Sequence, residues 1–296
     1  MFQLNSLTDF VRQPTFEPQV LAVKNAAYPK LSVITPSFNQ AAFLERTILS
    51  VLNQNYPNLE YIIIDGGSND GSVEIIKKYE KYLHFWVSEK DNGQVDAINK
   101  GLLRATGEWL SFQNSDDIYA PNALATVAAE IAKSGSADIL YGNIVIIDEH
   151  DAVIEQLKTV PFCRQCQVAE GMQIHNQSLF FKRSLIERFG LFDTAYQFAF
   201  DYEFITRFTM KPSVVCRQIG NLWGGFRKHV SAKTSTISDV GIREYETIKK
   251  RYTSQIDSVF GFGFWLRFWL WYCRLRKMGW FVLKFDLAYI KHRQKI

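Results

Sequence analysis

Residues 108–117 read Glu-Trp-Leu-Ser-Phe-Gln-Asn-Ser-Asp-Asp, and this stretch decides the fold. Its first half is a short apolar run that predicts a buried strand, and Pro121 just beyond it can open a helix. Asp116 and Asp117 therefore stand at the tip of a strand. Adjacent carboxylates repel each other, but a divalent cation makes the pairing favourable, and Mg²⁺ or Mn²⁺ prefers such oxygen ligands. The alternative is a polar turn in which an Asp caps the next helix.

Strands and helices alternate around this stretch. Four apolar runs predict strands at residues 31–35, 60–65, 83–87 and 108–112. Three periodic segments predict helices at residues 41–54, 72–79 and 93–105. The alternation is typical of an α/β fold with a doubly wound, mostly parallel central sheet. Ligands bind such sheets beyond the carboxyl ends of the strands. We therefore expect Thr35, Asp65 and the Asp116-Asp117 pair to line one crevice.

The second half of the chain is less regular. Residues 139–147 and 153–157 predict a hairpin, and further strands and helices are expected at 178–181, 182–188, 201–208, 214–217, 221–226 and 240–252. We expect a loosely patterned N-terminal arm over residues 1–29, one α/β domain over 30–253 and a helical tail over 254–296, with a linker near 254–263.

The charge of the chain is concentrated at its end. The 296 residues carry a net charge of only +4, which gives no argument for a nucleic-acid partner, yet eight Lys or Arg and one Asp follow residue 263. Such asymmetry indicates an anionic partner. The aromatic segment 261–273 is interrupted by Arg267 and is too polar to span a bilayer, so it predicts a helix lying in an anionic membrane interface. The alternative is a helix packed on the domain or on a dimer partner.

The cysteines indicate a reducing compartment. Cys163, Cys166, Cys216 and Cys273 are too few for a disulfide scaffold in a chain of this size. Cys163 and Cys166 have CxxC spacing, but no second ligand pair follows, so reduced thiols are favoured over zinc. Residues 1–30 lack the pattern of a secretory signal. We expect the protein in the cytoplasm.

Several motifs in order resemble the family 2 glycosyltransferases, which have the GT-A fold and use nucleotide sugars. The matching segments are 32–39, 50–54, 64–72, 89–101, 114–117, 190–194 and 200–204. The resemblance implies an inverting, metal-dependent enzyme with Mn²⁺ or Mg²⁺, a nucleotide-sugar donor expected to be UDP-linked, and a cell-surface glycan or polyprenyl-linked acceptor. It implies a peripheral position on the inner face of the cell membrane.

The Gln-x-x-Arg-Trp motif of processive synthases is missing from the chain, which favours the addition of a single sugar. Two other classes remain as alternatives. One is a non-catalytic nucleotide-sugar-binding protein. The other is a nucleotidyltransferase, which would usually carry a Gly-rich basic loop after the first strand.

The resemblance also implies roles for individual residues of the donor site. It places the nucleobase against Thr35, Pro36 and Phe38, with Asp65 accepting a hydrogen bond from the ring N–H. It places the ribose or sugar near Asn114 and Asp116, the metal on Asp117, and the diphosphate near Lys90, Asp91 and Asn99.

On the acceptor side the resemblance makes Asp201 the general base, and Glu203 is the rival for that role. His175 and Gln177 are expected either to touch substrate hydroxyls or to form a buried polar pair. Arg227 and His229 are expected either to bind diphosphate, with His229 as a further metal ligand, or to lie in a solvated loop.

Overall fold

The computed structural model describes residues 6–22, 25–133, 135–233, 238–256, 262–284, 286 and 289. Within them the strands are β1 Leu31–Ser37, β2 Leu59–Asp65, β3 Phe85–Ser88, β4 Trp109–Phe112, β5 Ile118–Tyr119, β6 Ile139–Ile147, β7 Val153–Leu157, β8 Leu179–Lys182 and β9 Cys216–Arg227. These nine strands form one sheet in the order β3-β2-β1-β4-β8-β6-β9-β5, with β7 paired to β6.

Helices cover the sheet and continue beyond it. They are α1 Ser6–Arg12, α2 Pro18–Ala22, α3 Ala41–Leu52, α4 Ser72–Tyr79, α5 Gln94–Arg104, α6 Ala123–Lys133, α7 Arg164–Ala169, α8 Arg183–Phe189, α9 Phe200–Thr209, α10 Ser238–Ile256 and α11 Phe262–Leu283.

The N-terminal half of the sheet is parallel, as the alternation predicted. β1 pairs with β2 and β4, and β2 pairs with β3, all in parallel. Every residue of β1 and β2 is buried, because helices lie on both faces of this part of the sheet. The expected α/β fold is therefore confirmed, and its first four strands bring the ends of β1, β2 and β4 side by side.

The C-terminal half of the sheet is mixed. β8 runs antiparallel to β4 and β6, whereas β9 runs parallel to β6. The two strands predicted near residues 214–226 are one long strand, β9, whose register against β6 shifts twice near Asn143. Gly224 lies where the turn at 176–178 meets β9, and a Cβ there would stand only 2.0 Å from the carbonyl oxygen of Gln177. The missing side chain lets Gln177 approach the loop after β4.

The arm and the tail are both attached to the domain. The N-terminal arm contains two short helices, and Leu7 and Val11 of α1 are buried against the sheet. The tail helix α11 is joined to α7 by a disulfide between Cys166 and Cys273. The expectation of reduced thiols is therefore wrong for these two cysteines. The predicted linker falls partly on residues 257–261, outside the described residues. None of the helices in the described ranges has the length and hydropathy needed to cross a bilayer.

Candidate active site

Strands β1 and β2 end side by side, with Ser37 opposite Asp65. The carboxylate of Asp65 is fully buried. Its oxygens accept hydrogen bonds from the backbone N–H groups of Gly67 and Ser68 at 3.1 and 2.9 Å, and from the hydroxyls of Ser68 and Ser88 at 2.6 Å each. Asp65 therefore shapes the turn after β2 and presents no exposed edge to a nucleobase.

The β1 residues expected at the base pocket are unequally accessible. Thr35 is buried, and its hydroxyl lies 3.0 Å from the hydroxyl of Tyr61 in the core, so only its backbone can reach a ligand. Pro36 is also buried. Phe38 is 58 % exposed just beyond the strand. An aromatic ring left open at this position offers a face on which a planar base can stack.

Asp116 and Asp117 follow β4 and have different surroundings. Asp117 is 1 % exposed. It accepts hydrogen bonds from the backbone N–H of Arg227 at 2.9 Å and from the side-chain amides of Gln177 at 2.8 Å and Asn114 at 3.0 Å. Burial raises the pKa of the Asp117 carboxyl, and Asp116 raises it further. Asp116, by contrast, keeps 22 % of its side chain exposed. It is the carboxylate of the pair that faces outward.

A histidine stands against the outward carboxylate. Nε2 of His229 lies 3.0 Å from Oδ2 of Asp116. Nδ1 of His229 is 2.8 Å from the hydroxyl of Ser231, and its ring packs on Phe43 with centroids 4.5 Å apart. The imidazole is thus held in one orientation beside Asp116. The sequence interpretation that linked His229 to the carboxylate pair agrees with this geometry.

A divalent cation fits Asp116 better than Asp117. Carboxylate oxygen and imidazole nitrogen are both ligands of divalent ions, and Mg²⁺ commonly binds one or two protein ligands, substrate phosphates and water. Among the described residues, no group of three or more His, Cys, Asp or Glu side chains is arranged to hold a metal alone. The Asp116–His229 pair is therefore suited to an ion that also binds the substrate. Asp117 would have to leave its three hydrogen bonds to become a ligand.

Arg227 supports, from inside the protein, the loop after β4 that carries Asp116 and Asp117, which we call the carboxylate loop. Its guanidinium is fully buried and donates to the carbonyl oxygens of Asp116 at 2.8 Å and Asp148 at 2.9 Å. It also pairs with Asp151 at 2.7 Å. The side chain is therefore enclosed by the protein, and it is neither open to a diphosphate nor part of a solvated loop, so both expectations for it are wrong.

Three arginine side chains bind Asp151 beneath the carboxylate loop. Arg12 from α1 and Arg46 from α3 bind it at 2.8 and 3.2 Å, in addition to Arg227. Burial acts to raise the pKa of Asp151, but the hydrogen bond from Arg12 and the charges of Arg227 and Arg46 outweigh it and hold the pKa below its ordinary value. The N-terminal arm thereby becomes part of the support beneath the carboxylate loop.

We expect Arg227→Met to lower the free energy of unfolding by about 3–5 kcal/mol, because it leaves a buried ion pair broken. Urea denaturation followed by circular dichroism measures the change. Arg217→Met is the matched control, since Arg217 is exposed on the same strand, and it should change stability by less than about 0.5 kcal/mol. Equal losses in the two variants would contradict the supporting role of Arg227.

Asp201 lies in the first turn of α9. The segment before this helix is bound by Glu244 of α10, whose carboxylate accepts the backbone N–H groups of Gln197, Phe198 and Ala199 at 2.8, 2.9 and 2.8 Å. Burial raises the pKa of Asp201 to about 6. The sequence analysis missed Glu244, because its contact depends on the packing of two distant helices.

Lys233 is a second site residue that was not predicted from the sequence. Its ammonium donates to the side-chain oxygen of Gln94 at 2.8 Å, and the amide of Gln94 donates to the side-chain oxygen of Asn114 at 2.7 Å. A polar chain therefore runs from Lys233 to the loop after β4. A lysine four residues after His229 was the only local sign of this role.

Lys233 also links the two halves of the site electrostatically. Burial lowers the pKa of Lys233, while the carboxylates of Asp116, Asp201 and Asp91 act to raise it. In return Lys233 acts to lower the pKa of Asp201. Nζ of Lys233 also lies 3.5 Å from the carbonyl oxygen of Gln197 in the segment before α9, so its ammonium stands between the loop after β4 and the helix that carries Asp201.

Two expected site residues are engaged elsewhere. Asn99 exchanges hydrogen bonds with the backbone of Phe192, at 2.9 and 3.0 Å, and so ties α5 to the segment after α8. Glu203 is buried, binds Arg207 at 3.1 Å and accepts a hydrogen bond from the hydroxyl of Tyr252 at 3.2 Å. The structure therefore favours structural roles for both.

The remaining expected residues surround the same region. Lys90 is exposed, and Asp91 accepts a hydrogen bond from the backbone N–H of Gly93 at 2.8 Å. His175 is partly exposed and precedes the turn that carries Gln177 to Asp117. Of His175 and Gln177, Gln177 is therefore the buried residue, and its side-chain amide donates to the carboxylate of Asp117.

Sequence comparison finds that the chain is similar to glycosyltransferases. The sequence model described as "Glycosyl transferase family 2" matches residues 32–200. An uncharacterized glycosyltransferase of Mycobacterium tuberculosis is 33% identical over 193 residues, covering 64% of this chain and 71% of the relative. A PGL/p-HBAD biosynthesis glycosyltransferase of Mycobacterium bovis is 30% identical over 197 residues, covering 64% and 74%. A putative teichuronic acid biosynthesis glycosyltransferase of Bacillus subtilis is 41% identical over 99 residues, covering 32% and 39%.

Solved structures share the fold. The crystal structure of S. aureus TarS 1-349 in complex with UDP-GlcNAc has a TM-score of 0.57 at 19% identity, covering 74% of this chain and 66% of that one. The mannosyltransferase PcManGT from Pyrobaculum calidifontis, in complex with GDP-Man and Mn²⁺, has a TM-score of 0.58 at 18% identity, covering 87% and 72%. The expected GT-A fold is confirmed.

Proposed function

The chain belongs to glycosyl transferase family 2, and we propose that it moves one sugar from a nucleotide donor to an acceptor hydroxyl with inversion at the anomeric carbon. The supporting observation is that the ammonium of Lys233 contacts both Gln94, which binds the loop of Asp116 through Asn114, and the carbonyl oxygen of Gln197, just before the helix of Asp201. A carboxylate for the diphosphate side and a carboxylate for the acceptor side then border one space. The acceptor oxygen bonds to the anomeric carbon from the face opposite the departing diphosphate, and this single displacement inverts the configuration.

We assign the diphosphate side to Asp116 and His229. They would hold a Mn²⁺ or Mg²⁺ ion, which when bound supplies Lewis-acid neutralisation of the diphosphate. This assignment replaces Asp117, whose proposed task is to keep the loop in place from its buried position. The ammonium of Lys233 adds positive charge on the same side. The Mn²⁺ in the mannosyltransferase of the same fold supports a metal in this role.

We propose a UDP-linked sugar as the donor. Both structural relatives contain nucleotide sugars, UDP-GlcNAc in one and GDP-Man in the other. In this chain the exposed ring of Phe38 would stack on the base, and the turn at 66–68 would close the pocket. The proposed task of Asp65 is to hold that turn, because its own oxygens are already occupied.

We propose Asp201 as the general base on the acceptor side. A carboxylate with a pKa near the working pH can take the proton of the acceptor hydroxyl as the new bond forms. Burial brings the pKa of Asp201 to about 6, which meets this requirement. The proton therefore moves from the acceptor hydroxyl to the carboxylate, and the negative charge leaves with the nucleoside diphosphate.

We propose a cell-surface glycan or a polyprenyl-linked intermediate as the acceptor. Curated relatives are named for PGL/p-HBAD biosynthesis and for teichuronic acid biosynthesis, which supports this class of acceptor. The proposed location is the inner face of the cell membrane, where a basic tail would meet anionic lipid.

A panel of nucleotide sugars incubated with Mn²⁺ tests this function. We expect slow hydrolysis of one UDP-linked sugar, with UDP and free sugar as products, and its loss when EDTA is added. Release of UMP and a sugar phosphate would instead indicate cleavage between the phosphates, as in nucleotidyl transfer. Tight donor binding without any hydrolysis, and without transfer to added glycan acceptors, would indicate a binding protein.

A further inference from the structure

Helix α11 exposes a continuous apolar stripe. The side chains of this stripe are between 45 and 61 % exposed, and they are Phe268, Trp271, Leu275, Met278 and Val282. Their spacing of alternately three and four residues places them on one face of the helix. Scattered exposed apolar residues are ordinary, but a continuous stripe of five indicates a surface that something covers.

The opposite face of α11 is attached to the rest of the protein. Cys273 forms the disulfide with Cys166, Arg276 donates to the carbonyl oxygen of Pro161, and Lys277 binds Glu170 at 2.6 Å. Position 273 faces away from the centre of the stripe, because 100° per residue puts Leu275 and Trp271 about 160° from it. The attached face therefore holds the stripe outward.

The charge beside the stripe has one sign. Residues 262–283 contain four Arg or Lys and no Asp or Glu. Arg276 and Lys277 lie on the attached face, whereas Arg267 and Arg274 are exposed along one edge of the stripe. Positive side chains at such an edge favour a negative surface opposite them once the stripe is covered.

A second copy of the chain meets this requirement poorly. Two copies of α11 packed along their stripes would bring Arg267 and Arg274 of each copy near the other helix, which has no acidic residue to pair with them. Helix pairs are usually matched by opposite charges beside the apolar seam. An anionic lipid surface supplies both an apolar layer for the stripe and phosphates for the arginines.

We propose that α11 docks lengthwise on an anionic bilayer, with the apolar stripe in the interface and Arg267 and Arg274 against lipid phosphates. The aromatic rings of Phe268 and Trp271 suit the boundary between headgroups and acyl chains. The purpose of this docking rests on the proposed function, since it brings the site to lipid-linked or surface acceptors. The binding itself requires no turnover.

Flotation of the full-length protein with vesicles tests the docking. Wild type should float with vesicles of phosphatidylcholine and phosphatidylglycerol, remain at the bottom with phosphatidylcholine alone, and be released by high salt. Trp271→Ser with Leu275→Ser, or Arg267→Glu with Arg274→Glu, should lower the ratio of bound to free protein by about tenfold or more. Leu103→Ser with Ile242→Ser is the matched control, because both residues are exposed apolar side chains on other helices, and it should float like wild type.

Hydrolysis of the nucleotide sugar, measured without vesicles, should be unchanged in all three variants. Failure of docking is thereby separated from failure of the proposed function. Wild-type protein that stays at the bottom, or floats equally with neutral vesicles, would overturn the proposal. A dimer in light scattering that Trp271→Ser breaks, in protein that does not float, would assign the stripe to a second copy and overturn it as well.

Discussion

Asp201→Asn is expected to lower kcat by about 10²–10⁴-fold, which is the usual contribution of a general base. The amide keeps the size of the side chain but cannot accept the proton of the acceptor hydroxyl. Affinity for the donor should stay the same, because the donor is assigned to the other side of the site. Steady-state transfer and calorimetric titration of UDP with Mn²⁺ measure the two effects separately.

The control for this variant is Asp9→Asn, since Asp9 is an exposed carboxylate in the first turn of another helix. It should leave kcat unchanged. If Asp201→Asn retained full transfer activity, the base would have to be sought elsewhere. Glu203 would be a poor substitute, because it is buried against Arg207 and Tyr252.

The pH dependence provides a second test of the same residue. Burial raises the pKa of Asp201 from 3.8 to about 6. A general base acts in its deprotonated form, so kcat should rise with pH, level off above about 6, and fall roughly tenfold per unit below it. An ordinary aspartate would keep its activity down to about pH 4. An inflection near 4 in a reaction limited by chemistry would exclude Asp201 as the base.

Asp116→Asn is expected to weaken Mn²⁺-dependent binding of UDP by about 100-fold or more, because it removes the carboxylate proposed to hold the ion. The side chain is partly exposed, so thermal unfolding without metal should change little. Titration calorimetry with Mn²⁺ and with EDTA measures the loss. Transfer should fall with binding, since the diphosphate would then depart without neutralisation.

Asp117→Asn is the informative comparison. The oxygens of Asp117 accept three hydrogen bonds from N–H donors, so an amide would turn its own NH₂ toward at least one donor. We expect a loss of about 1–3 kcal/mol in stability, from a buried group without its partner. If Asp117→Asn instead removed metal-dependent binding and left stability intact, the metal would belong on Asp117, as the family resemblance first implied.

Local patterns predicted the bounds of several elements closely. The hairpin at 139–147 and 153–157 and the helix at 72–79 were predicted with the bounds that the structure has, because apolar periodicity follows the geometry of each element. The rule that parallel strands end at one edge of the sheet predicted that β1, β2 and β4 end side by side, and they do. The side chains of Thr35 and Asp65 are buried at those ends, however, and were expected to line the crevice. The roles of Gly224 and Arg227 could not be predicted in the same way. They depend on residues far away in the chain that pack against β9, Gln177 for Gly224 and Asp116 and Asp151 for Arg227.

The alternation of strands and helices in the first half of the chain, the family of the chain and the chemical types at the site follow from short-range patterns and motifs, because these depend on residues close together in the chain. The roles of individual carboxylates do not follow from such patterns. Whether Asp117 or Asp116 faces outward, and whether Glu203 or Asp201 is open to a substrate, depends on donors such as Gln177, Arg207 and Arg227 that lie far away in the chain. A carboxylate is available for chemistry only where packing leaves part of it open to a ligand, and packing is a property of the folded whole.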